Sequence, residues 1–146
     1  MTVDSTISER SEAVVEEFEL FDDWVDRYEH LIEMGRSLPL IDEAYRTDEY
    51  LVRGCQSQVW LRAEAVGDRI LLTADSDALI TKGLIAILVR ILNEQPAYAV
   101  AQADFSFLER IGMKQHLSPT RKNGLDAMIR QIRLYAVTLS HANQVS

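Results

Sequence analysis

In the stretch Val52-Arg53-Gly54-Cys55-Gln56-Ser57-Gln58-Val59-Trp60-Leu61-Arg62-Ala63-Glu64-Ala65 the chain changes its period. From Val59 onward, Val59, Leu61, Ala63 and Ala65 point one way while Arg62 and Glu64 point the other, which is strand spacing. The residues just before are glycine, glutamine and serine, which read as a loop. Val66-Gly67-Asp68 reads as a turn and Arg69 to Ala74 as the returning strand, so Cys55 is expected just ahead of a β-hairpin. Helical patterns lie on both sides of this hairpin. The fold class that follows is α+β, a small antiparallel sheet covered by helices.

Upstream, Val14, Phe18 and Phe21, then Val25, Tyr28 and Leu31 or Ile32, keep the spacing of a helix face, and Asp22-Asp23 interrupts it. Two helices are expected, the second capped by one of those aspartates and ended by Gly35, with Pro39 beyond. Downstream, Ser76 and Asp77 are placed to start a helix whose Ile80, Leu84, Ile87, Leu88 and Ile91 form one face. Gly83 inside it costs about 1 kcal/mol against alanine, which points to another backbone packed close by. A short helix follows Pro96, and Asp104 to Ile111 forms another. Ser118-Pro119 reads as the start of the last helix, with Leu125, Met128, Ile129, Ile132, Ala136 and Leu139 on its buried face.

The 146 residues fit a single domain, 1–146, whose first ten residues are expected to be flexible. Fifteen basic against twenty-three acidic residues leave a formal charge of -8, which lacks the footprint of a nucleic-acid binder and favours basic partners. The start of the chain carries neither the basic nor the apolar segment of a signal peptide, and it is acidic, unlike a transit peptide; a cytoplasmic location is expected. The apolar run Leu84 to Val89 is stopped by Lys82 and Arg90, far short of the roughly 20 residues that a bilayer needs, so no membrane association is expected.

Cys55 is the only cysteine. No internal disulfide is possible, and whatever its sulfur receives must leave to another molecule. A thiolate does nucleophilic work, and only a few per cent of an ordinary thiol is ionised at neutral pH, so positive charge near Cys55 is needed. Arg53, two residues before, and Arg121, in the first turn of the last helix, are the candidates. Gly54 frees the backbone beside the thiol, and Gln56 and Ser57 surround it with hydrogen-bonding groups. His116 paired with Cys55 would make a thiol hydrolase, but it stands ahead of the Ser118 cap, where it reads as a loop brace. Asp77 reads either as a helix cap or as part of a partner-facing rim. One cysteine and three scattered histidines offer no metal-ligand spacing.

Gly54-Cys55-Gln56-Ser57-Gln58-Val59-Trp60-Leu61, Ser76-Asp77-Ala78, Lys82-Gly83-Leu84-Ile85-Ala86 and His116-Leu117-Ser118-Pro119-Thr120-Arg121-Lys122-Asn123-Gly124-Leu125 together resemble the SufE family, the sulfur acceptors of bacterial iron-sulfur cluster assembly. The resemblance runs from about Phe18 to Leu139. Tyr50, in place of a frequent asparagine, and Asn93-Glu94-Gln95-Pro96, in place of a Gly-x-Thr-Pro type turn, depart from it. The resemblance implies a single SufE/IscU-like domain that accepts sulfur from a SufS-type cysteine desulfurase and relays it to the SufBCD scaffold. Cys55 would carry the persulfide, and Arg121 becomes the preferred cation. The chain would be a cosubstrate and activator with no cofactor of its own, pyridoxal phosphate belonging to the desulfurase; a homodimer is left open. One thiol carries sulfur but cannot cage a cluster. A persulfide needs shelter and delivery, so Cys55 is expected to alternate between a sheltered and an extended position about Gly54. Two other classes stay open: a thiol-dependent hydrolase using Cys55 and His116, and an adaptor with a structural cysteine.

Overall fold

The computed structural model describes residues 5–145. In chain order these form α1 (Ile7–Glu19), α2 (Trp24–Arg36), two single 3₁₀ turns (Glu43–Tyr45 and Asp48–Tyr50), β1 (Val59–Val66), β2 (Arg69–Ser76), α3 (Leu79–Leu92), α4 (Ala97–Ala101), α5 (Phe107–Arg110), α6 (Met113–His116) and α7 (Pro119–Val145). The fold is α+β: a two-stranded antiparallel hairpin packed among helices.

The hairpin register runs from Val59 opposite Ser76 to Val66 opposite Arg69, leaving Gly67-Asp68 as the turn. Its two ends live in different surroundings. Val59, Trp60 and Leu61 are all buried, whereas Glu64, Ala65 and Val66 are exposed. Strict alternation therefore misplaces Ala65, because the turn end projects beyond the helices. Trp60 is covered by the Arg46 guanidinium, 4.6 Å above its ring.

An isolated two-stranded ribbon is marginal, and here the outer edge of β2 is completed by irregular chain. Ile70 N–H donates to Gln95 O, Glu94 N–H donates to Ile70 O, and Leu72 N–H donates to the Asn93 side chain, at 2.9, 2.8 and 2.7 Å. Ala74 exchanges bonds with Pro39 and Ile41 on the same edge. The segment Asn93 to Pro96, which departs from the family-like turn, thus serves as a strand substitute, and Glu94 takes a left-handed φ of 63° to do so.

Asp23 caps α2, accepting from Val25 and Asp26 N–H. Within the segment 1–10, expected to be flexible, α1 begins at Ile7, Thr6 caps that helix, and Arg10 is buried with its guanidinium on the Asn93 carbonyl; residues 1–4 lie outside the described part. Gly35 does not end α2, which continues to Arg36. Its lack of a side chain serves packing instead: a Cβ there would stand 3.1 Å from Gly83 N, and a Cβ on Gly83 would stand 2.4 Å from Leu31 O. The two glycines let α2 and α3 touch backbone to backbone, as the position of Gly83 predicted. Val25, read as part of the α2 apolar face, is exposed.

Ser76 and Asp77 do not cap α3, which starts after Ala78 without a side-chain cap. Ser118 does receive the Arg121 N–H at the start of α7, and Leu125, Met128, Ile129, Ile132 and Ala136 are buried along that helix. Across α1, α2 and α3, Arg90 grips Glu17 with both guanidinium nitrogens at 3.0 and 2.6 Å, and His30 Nε2 lies 2.6 Å from the same carboxylate. The Arg90 hydrogen bonds pull the Glu17 pKa below the ordinary carboxylate value against the opposing effect of partial burial.

Candidate functional site

The Cys55 loop is short and held at both ends. At its base Val52 N–H donates to Val59 O at 2.8 Å. At its far end Gln58 is gripped by the Ser76-Asp77 pair: Gln58 N–H donates to Asp77 Oδ1 at 3.0 Å, and Ser76 Oγ donates to Gln58 O at 2.8 Å. Asp77 is therefore the anchor of the cysteine loop. This function was missed because the sequence shows the serine and aspartate next to α3 but not the strand pairing that brings Gln58 opposite them.

Between these anchors Gly54 sits at φ 96°, a conformation that L side chains rarely adopt. It turns the loop onto α7. There Cys55 Sγ lies 3.4 Å from the Gly124 carbonyl, to which its S–H donates, and the thiol is half-buried. Burial pushes the Cys55 pKa up from its ordinary value; the nearby charge of Arg130 acts in the opposite direction without prevailing. A protonated thiol bonded to a carbonyl is a resting nucleophile. Sequence reasoning asked for cations that would activate Cys55; in this conformation desolvation outweighs the charge of Arg130.

Beyond the sulfur opens a cleft of about 330 Å³. The loop contributes Gln56 and Ser57 to its wall, α3 contributes Thr81, and the start of α7 contributes Ser118, Thr120, Arg121 and Gly124. Hydroxyl, amide and guanidinium groups dominate, so the cleft suits a polar or anionic occupant. Arg121 is one of its exposed walls. Thr81 is buried apart from the face it turns to the cleft, and nothing in the sequence separates it from the apolar run around it.

His116 is elsewhere. Its ring stacks on Trp24 of α2 at 3.7 Å, its carbonyl accepts from the Tyr28 hydroxyl at 2.5 Å, and it is not part of the cleft wall. It braces the junction of α2 with the α6–α7 connection, so the structure gives no support to a Cys55–His116 dyad. Arg53 is exposed on the loop. Arg130 was not singled out from sequence. Its Nη2 lies 3.7 Å from where a Gly54 Cβ would stand, a contact between distant parts of the chain that no local pattern announces.

The chain matches the family model described as SufE, Fe-S metabolism associated domain, over residues 12–136. An uncharacterized SufE-like protein of Rhizobium etli is 41% identical over 125 residues, covering 82% of this chain and 84% of that protein. A second, from Rhizobium meliloti, is 40% identical over 125 residues, with 82% and 89% covered. A hypothetical protein from Thermus thermophilus, solved in solution, shares the fold with a TM-score of 0.75 at 19% identity, over 94% of this chain and 97% of that one.

Proposed function

This chain belongs to the SufE family, with a role in Fe-S metabolism, and on that basis we propose that it is the sulfur acceptor and activator of a SufS-type cysteine desulfurase. The desulfurase, using its own pyridoxal phosphate, removes sulfur from cysteine and holds it as a persulfide. The Cys55 thiolate attacks the outer sulfur, the S–S bond of the desulfurase persulfide breaks, and the desulfurase keeps its thiolate while Cys55 becomes the persulfide. The exchange is redox-neutral. The SufBCD scaffold then takes the sulfur by the same chemistry, and with a single thiol in the chain no internal disulfide can intercept it.

The observation that carries this reading is the setting of the only thiol: Cys55 at the tip of a loop fixed at Val52 and Gln58, half-buried beside a polar cleft. A structural cysteine would have no need of a left-handed glycine beside it and a hydroxyl-lined space beyond it. Incubation with a cysteine desulfurase and cysteine should add sulfur mass to the Cys55 peptide, removable by reductant, and the chain should accelerate cysteine turnover. Cys55→Ser should abolish both while remaining folded. Full acceleration by that variant would reject the reading in favour of an adaptor, and substrate hydrolysis without any desulfurase would favour a thiol hydrolase.

A further inference from the structure

We propose that Arg130, on α7, is the positioning residue that governs when Cys55 ionises, acting from the Gly54 side of the loop. The inference rests on Cys55 being the sulfur acceptor and adds to that reading the residue that readies it. The loop lies across α7 so that Cys55 Sγ meets the Gly124 carbonyl and Gly54 leans on Ala127 and Arg130. A Cβ on Gly54 would be 3.3 Å from Ala127 Cβ and 3.7 Å from Arg130 Nη2, so a guanidinium stands on the side of the loop at the residue next to the thiol.

The two contacts act in opposite senses. The Gly124 carbonyl is an acceptor and can hold only a protonated sulfur; once the proton leaves, a thiolate or a persulfide anion faces a carbonyl lone pair and is repelled. Arg130 is a permanent cation and favours the anion. Losing the proton therefore weakens the hold of Gly124 and strengthens that of Arg130, which draws the sulfur off its resting carbonyl. The other charged groups around the loop are differently placed. Arg53 is exposed on the loop itself, Asp77 is tied to Gln58, and Arg121 stands in the cleft wall. Arg130 is the cation set against Gly54, the residue next to Cys55, and its charge opposes the effect of burial on the thiol.

The test is the pH profile of Cys55 alkylation by iodoacetamide in the free protein, with no desulfurase present. Arg130→Gln should move the midpoint upward by about half a unit to one unit, slowing alkylation at neutral pH about three- to tenfold. Arg130→Lys should restore most of that loss. Arg130 is exposed, so both substitutions should preserve the thermal unfolding midpoint, which is measured alongside. A profile of Arg130→Gln that superimposes on the parent, or a lysine variant as impaired as the glutamine one, overturns the inference. Sulfur loading of the parent is scored separately: its failure rejects the proposed function, whereas normal loading with an unmoved Arg130→Gln profile rejects only the role of Arg130.

Discussion

Cys55 is held as a thiol by partial burial and a carbonyl acceptor, and that has a consequence for stability. Its pKa is raised in the folded protein, so the folded state keeps its proton at pH values where the unfolded chain has released it. The contribution is fully present below the unfolded thiol pKa and is lost as pH rises through the folded one. Denaturant unfolding from neutral pH to about pH 9.5 should show the parent losing stability relative to Cys55→Ser, whose side chain does not titrate there. Tyr135 also has a raised pKa, chiefly from burial, but it acts above the ordinary tyrosine value of 10.0, outside that window. Parallel pH dependences for parent and variant would show that the thiol is not held in its protonated form.

The elements that frame the site depend on close backbone approach. α3 carries Thr81 of the cleft and packs on α2 through Gly83 and Gly35. A methyl on Gly83 would stand 2.4 Å from Leu31 O, a backbone atom that can move only if the whole helix moves. Gly83→Ala should therefore destabilise the protein by about 3 kcal/mol, even though alanine is the better helix former by about 1 kcal/mol. Chemical denaturation measures the difference. A neutral or stabilising result would mean that α2 and α3 are not in backbone contact.

At the scale of the whole molecule, stability is unevenly distributed around the thiol. Leu84 to Leu92 are buried almost throughout and sit among α1, α2, β2 and α7, whereas the loop from Arg53 to Ser57 hangs between anchors at Val52 and Gln58. Hydrogen exchange should find the loop amides poorly protected and those of α3 among the slowest, with Val52 and Gln58 marking sharp boundaries. Addition of a desulfurase should change protection in the loop and leave α3 unchanged. A loop as protected in the free protein as α3 would mean that Cys55 is fixed in place and cannot be delivered into another protein.

Local and unique features were legible in the chain alone. Period-two spacing in Val59 to Ala65 made the hairpin, Ser118-Pro119 made the start of α7, Gly83 announced a close neighbour, and a single cysteine beside a glycine marked the site. Each of these is a preference of the chain for its own backbone, readable within a few residues. How distant groups meet was left to packing. Asp77 became a loop anchor once β2 ran antiparallel to β1, His116 was claimed by Trp24, and Arg130 came to Gly54 when α7 packed beneath the loop. The protonation of Cys55 was decided in the same way. A sequence shows which charges a chain carries, but whether a thiol ionises depends on how much water packing removes from it, and here that desolvation outweighs Arg130.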